Sequence, residues 1–214
     1  YSSIHDSTSY LVVAGGGGGA SAYGSKYRGG HGAGAEPTAT TYEGQDGPMS
    51  NCGFGANCGG DGGNSASTTG VGARGNRGCG NFDDGLYGVA GSGMNGGKGG
   101  DARGTWKEAG GAGGVPGGGQ GGVGRTGGAG AGGGGGGGYY GAGGGGSAGR
   151  GCYKDSGGGG GGGGSSWGTT GFTCEGADWN VPGGDDDPDY VAGVAEGGYG
   201  IKDHGSPGAL ILRW

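Results

Sequence analysis

The densest cluster of chemically useful side chains is Asp185-Asp186-Asp187-Pro188-Asp189, four carboxylates in five positions. Calcium takes about six to eight oxygen ligands, so Asp185, Asp186, Asp187 and Asp189 form a candidate Ca2+ site. The plainer reading is a solvated acidic turn, and EF-hand spacing is absent. Asp203, His204 and Ser206 invite comparison with a hydrolytic triad. Ser206 lies too close to His204 in sequence and on no strand-to-helix elbow, so a polar turn is expected there. GxGxxG matches recur, but in so glycine-rich a chain they arise by chance and lack a strand–helix context. The sequence therefore predicts no enzyme and, calcium apart, no cofactor.

Five cysteines, Cys52, Cys58, Cys79, Cys152 and Cys174, occur in a chain with little apolar material. Small-core extracellular proteins commonly rely on disulfides. Cys52 and Cys58 could close a local loop, while Cys152 and Cys174 flank a long glycine run and could pin its ends. The odd count leaves one thiol free or pairing between chains, with Cys79 the candidate. Zinc is disfavoured, because there is no CxxC and the three histidines (His5, His31, His204) are scattered. Aromatic side chains are a second resource. Tyr27, Tyr87, Trp106, Tyr139, Tyr140, Trp167 and Trp179 lie in or beside expected loops. Tyr and Trp supply large rigid contact area and dominate binding hot spots. Equally, they could cap a core that has few other lids.

The elements that must position these residues are unusual. Glycine makes up 78 of 214 residues and hydrophobic residues only 29%. Glycine loses the most backbone entropy on ordering, so composition alone favours disorder. The ordered alternative is a core made of backbone. Collagen is excluded by 6 prolines and the lack of a sustained Gly-X-Y period. Silk-like stacks want regular alternation with Ala or Ser, whereas the runs 132–138 and 157–164 are pure glycine. The remaining candidate is polyglycine II, an extended left-handed helix of about three residues per turn and 3.1 Å rise. Such a helix bonds outward to its neighbours, and without Cβ atoms the helices also approach closely enough for Cα–H···O contacts. A helix at the edge of such a bundle should place a side chain every third residue. Gln120, Val123, Thr126 and Ala129 follow that step, as do Ala112 and Val115.

The expected fold is mostly irregular: a bundle of packed polyglycine-II helices with a few short β-strands and almost no α-helix. Two aliphatic runs, 9–14 (SYLVVA) and 209–214 (ALILRW), are read as terminal strands that pair with each other. No linker separates distinct cores, so 1–214 is read as one domain. No secretory leader and no transmembrane run is seen, and a chain starting at Tyr1 reads as a mature product or an excised domain. The formal charge of −6 and a single RGG (Arg28-Gly29-Gly30) argue against nucleic acid as a partner. No N-glycosylation sequon occurs.

Tyr10-Leu11-Val12-Val13-Ala14, followed by five glycines and Ala20-Ser21-Ala22-Tyr23-Gly24, forms a strand-then-glycine entry. It resembles the glycine-rich domain of the anaplastic lymphoma kinase and leukocyte tyrosine kinase receptors. The run 132–138 with Tyr139, Tyr140 and Gly141 is similar to that domain's glycine-tract-plus-aromatic block, and 205–214 to its closing strand. The resemblance implies an extracellular, non-catalytic domain of packed polyglycine helices, in a region that takes part in ligand binding in those receptors. Phage tail-tip adhesins resemble the chain in style. The leading expectation is an extracellular, secreted structural protein that self-associates into a filament or coat. The alternative is a recognition or adhesion module binding protein or glycan through aromatic loops. Antifreeze activity stands third, lacking the flat Ala/Thr face it would need.

Overall fold

A computed structural model describes residues 2–5, 9–20, 63–64, 70–77, 86–102, 109–114, 130–147, 158–168, 187–194, 196–198 and 204–211. None of these is in an α-helix, and strands account for only a small part of them. β1 (Ser2–His5), β2 (Tyr10–Ala14) and β3 (Trp167–Gly168) form one antiparallel sheet in the order β1-β2-β3. Ile4 faces Val12 and Val13 faces Trp167 across it, with a register irregularity between Ile4 and His5. The β-branched pair Val12 and Val13 suits a central strand, and both side chains are buried.

Of the expected pairing of 9–14 with 209–214, residues 212–214 lie outside the described residues. Both edges of β2 are taken, by β1 and β3, and 209–211 is not strand. The C-terminal segment approaches the chain farther along. Gly17 donates to the Ser206 carbonyl at 2.9 Å, and Gly205 and Gly208 sit against backbone of 14–18. Glycines three apart let two backbones touch, and that contact rather than a ladder seats this end.

Most of the other described residues, the turns at 92–95 and 187–194 apart, lie in segments whose backbone bonds to other segments at steps of three residues. Gly16 and Gly19 donate to Gly137 and Gly134, running antiparallel. Gly133 and Gly136 donate to Gly159 and Gly162, running parallel. Gly132, Gly135 and Gly138 donate to Gly100, Gly97 and Met94. Segment 132–138 thus shares backbone bonds with five others, 16–19, 94–100, 111–114, 142–145 and 159–162. A β-strand bonds two neighbours in one plane, so this is not sheet.

The segments 15–20, 130–138, 141–147 and 158–165 are buried throughout, apart from the half-buried aromatics that follow 138. Their core holds almost no side chains: among the described residues the largest fully buried ones are Val13 of β2, Ser147 and Ser165. An outer layer runs 70–77, 86–91, 96–102, 109–114, each segment bonded to the next through Gly88 and Gly91, Val89, and Gly96 and Gly99 respectively. Here burial is periodic. Gly72 and Gly75 are buried while Val71, Ala73, Arg74, Asn76 and Arg77 are exposed, and Gly88 and Gly91 repeat the pattern. Of the residues spaced by three in the sequence, Ala112 is exposed, and Val115, Gln120, Val123, Thr126 and Ala129 lie outside the described residues. The turn from 86–91 into 96–102 uses Gly93, whose φ of 54° favours glycine. Ser92 and Asn95 close it with two reciprocal backbone bonds of 2.9 and 3.0 Å.

Candidate functional site

The central tracts end in side chains that replace backbone partners. Tract 158–164 runs into Ser165, and 132–138 runs into Tyr139 and Tyr140. The Tyr139 amide donates to the Ser165 carbonyl at 2.8 Å, and the Ser165 amide donates to the Tyr140 carbonyl at 3.1 Å. The Tyr140 amide donates to Ser165 Oγ at 3.0 Å. The hydroxyl thus supplies the acceptor for this half-buried amide, a partner that glycine cannot provide. Ser147 does the same at the far end of 141–147: its amide donates to the Leu86 carbonyl at 2.8 Å, and the Leu86 amide donates back to Ser147 Oγ at 2.7 Å. Ser166 Oγ accepts the Gly15 amide at 2.9 Å, tying the residue before β3 to the entry of the first tract.

This pinning gathers three of the seven expected contact aromatics. Trp167 stacks on Tyr139, with centroids 4.8 Å apart and planes 13° from parallel. Tyr140 meets Tyr139 edge-on at 4.9 Å and 76°. Stacked and edge-to-face pairs are the favoured aromatic geometries. Tyr139, Tyr140 and Trp167 are all half-buried, so each presents part of its surface to solvent. Tyr87 lies toward the opposite end of tract 141–147, beside Leu86 and its bond to Ser147. It is exposed and carries two guanidinium groups, with Arg74 Cζ 4.2 Å and Arg77 Cζ 5.2 Å from its ring centroid. Tyr27, Trp106 and Trp179 lie outside the described residues, as do Cys52, Cys58, Cys79, Cys152 and Cys174.

The acidic cluster is described only in part, since Asp185 and Asp186 lie outside. Asp187 Oδ1 accepts the Asp189 amide at 2.8 Å and its carbonyl accepts the Tyr190 amide at 2.9 Å, a self-bonded turn. Among the described residues no group of three or more His, Cys, Asp or Glu is placed to hold a metal ion. Of the triad-like trio, His204 is exposed, Asp203 lies outside the description, and the Ser206 hydroxyl donates to the Glu196 carbonyl at 3.1 Å. One further carboxylate is built in. Asp101 Oδ1 accepts the Gly110 amide at 2.7 Å and pairs with Lys98 Nζ at 2.6 Å, joining 96–102 to 109–114. Partial burial pushes the Asp101 carboxyl up, but the Lys98 and Gly110 hydrogen bonds and the Lys98 charge outweigh it and leave the pKa lowered.

Sequence reasoning passed over Ser147, Ser165 and Ser166. Their signal is that two glycine tracts close directly on serine, GGGGSA and GGGGSSW. It also passed over Arg74 and Arg77, although glycines recur at every third residue in the sequence around them, at 72, 75 and 78 and again at 85, 88 and 91. No family model, curated protein or solved structure matches this chain. Among the described residues no helix is long and apolar enough to cross a membrane.

Proposed function

We propose that this chain is an extracellular, non-catalytic structural module, with a core of packed polyglycine-II helices, that associates with further copies into a filament or coat. The observation that carries the reading is the three-residue step of the backbone bonds, shared by one segment among five neighbours. A helix of about three residues per turn points successive amides in three directions, and that step follows. Buried glycine tracts lined by carbonyls that any Cβ would overlap support it further. The resemblance to the glycine-rich domain of the anaplastic lymphoma kinase and leukocyte tyrosine kinase receptors favours the same architecture. A scaffold of this kind holds edge side chains rigidly at regular steps, which suits repeated docking.

A second reading is a recognition module, favoured by the half-buried Tyr139–Tyr140–Trp167 cluster. Its partly exposed rings suit a protein or glycan ligand. Electron microscopy at several concentrations, with and without reductant, separates the two. Regular filaments or sheets are the expected result, and their loss on reduction would implicate the odd cysteine. Dispersed particles at every concentration contradict self-association and transfer the function to recognition, to be tested by protein and glycan binding screens.

A further inference from the structure

The turn that joins 86–91 to 96–102 ends in Asn95-Gly96, the one Asn-Gly step in the chain. Such a pair can react with itself. The Gly96 amide nitrogen attacks the side-chain carbonyl carbon of Asn95, a five-membered succinimide closes and ammonia leaves. Water then opens the ring at either carbonyl. One opening leaves aspartate. The other leaves isoaspartate, whose main chain runs through Cβ and is longer by one atom. Glycine favours the attack because it has no Cβ to hinder the nitrogen, and asparagine is counted among the thermolabile side chains. Asn95 is exposed, and its side-chain amide has no hydrogen bond to any described residue. The nucleophile, by contrast, is occupied: the Gly96 amide donates to the Gly114 carbonyl at 2.9 Å. The turn is fixed around it. Asn95 exchanges both backbone bonds with Ser92, and the Gly93 and Met94 carbonyls accept from Gly141 and Gly138. Attack needs the Gly96 nitrogen to lose its proton and turn from Gly114 toward Asn95 Cγ, so it requires local opening between 96–102 and 109–114.

We propose that Asn95-Gly96 is a self-modification site gated by the Gly96–Gly114 hydrogen bond. The folded outer layer suppresses succinimide formation, and each opening of the layer permits it. The isoaspartyl product then keeps the layer from closing as before. Gly96 and Gly99 donate to Gly114 and Gly111, while Gly97 and Gly100 donate to Ala142 and Gly145. The Gly97 and Gly100 carbonyls accept from Gly135 and Gly132. Segment 96–102 is therefore in phase with three neighbours at once. One extra main-chain atom ahead of Gly96 shifts that phase, and the buried amides and carbonyls cannot all regain their partners. The site needs neither a ligand nor a second copy, so it stands apart from the self-association reading.

Timed incubation of the full chain at mildly alkaline pH tests it, in buffer and in guanidinium chloride, with conversion read by peptide mapping and mass spectrometry. In denaturant Asn95 should convert ahead of every other asparagine and give two products of equal mass that separate chromatographically. In buffer the same conversion should be at least about tenfold slower, as an opening that costs about 1.4 kcal/mol or more requires. Asn95→Gln, which would have to close a six-membered ring, should stay unconverted in both. The isolated isoaspartyl chain should lose hydrogen-exchange protection at the Gly97 and Gly99 amides. Asn95→Asp, which adds the charge without the extra atom, should keep it. Equal rates in buffer and denaturant overturn the gate. An Asn95 that stays unconverted in denaturant, or converts behind another asparagine, overturns the site. An isoaspartyl chain that exchanges as Asn95→Asp does overturns the structural consequence.

Discussion

The central tracts and the outer layer solve the same packing problem with different demands on glycine. In 130–138, 141–147 and 158–164 every position is buried, and all but Ala131, Ala142 and Ser147 are glycine. In 71–77 only Gly72 and Gly75 are buried, and the other positions carry arginine, asparagine, alanine and valine. A central segment has chain on all sides, so it holds nothing larger than the small side chains of Ala131, Ala142 and Ser147. At the edge of the outer layer, 71–77 has chain on one side, so there one residue in three is glycine and the others are free to vary. Glycine content therefore tracks how many neighbours a segment has.

The largest effect that separates the two regions is steric. A Cβ on Gly161 would overlap the Gly134 carbonyl, and one on Gly135 the Ala142 carbonyl, both backbone atoms that cannot swing aside. Gly161→Val and Gly135→Val should cost more than about 4 kcal/mol and abolish cooperative melting. Ala73→Val and Ala90→Val, at exposed outer positions, should stay within about 0.5 kcal/mol. Equal tolerance by thermal melt would erase the distinction.

The tract ends come next. Ser165→Gly leaves the Tyr140 amide without Oγ, and Ser147→Gly does the same to Leu86. Each should cost about 1 kcal/mol, since both amides are half-buried and water can take part of the lost bond. Unchanged denaturant midpoints would mean another acceptor takes over. Beside Ser165, a double-mutant cycle of Tyr139→Ala with Trp167→Ala should yield a coupling of about 0.5–1.5 kcal/mol from the stack. A coupling of zero would leave the pair with no energetic role.

The smallest effect belongs to the outer layer. Asp101 has a lowered folded pKa, so its contribution is present above the unfolded value of about 3.9 and is lost as pH falls through the folded one. Lys98 and Asp101 are both substantially exposed, which limits the pair to under about 1 kcal/mol. Asp101→Asn should melt slightly below wild type at neutral pH, and the gap should close at acid pH. A gap independent of pH would assign the loss to packing.

Glycine tracts and β2 were legible because composition and β-branching act locally. The partners of β2 were not: β1 is short and polar, and β3 is two residues whose place is set by Ser165 and Ser166. The aromatic pair after 132–138 stood out in the sequence, and Trp167 was legible as a contact aromatic. Their mutual stacking depends on how two distant tracts align, which no local pattern encodes. Arg74 and Arg77 were missed for a related reason. Gly-x-x spacing has meaning only once one knows that a single neighbouring layer lies behind it.

The most direct test of a core made of three-residue-step backbone is amide hydrogen exchange resolved by residue. Slow exchange is predicted for the buried donors of 130–147 and 158–165. In 71–77 protection should fall on Gly72 and Gly75, with fast exchange at Val71, Ala73 and Arg74. Uniformly fast exchange in the tracts, or protection in 71–77 that alternates every second residue, would contradict the account.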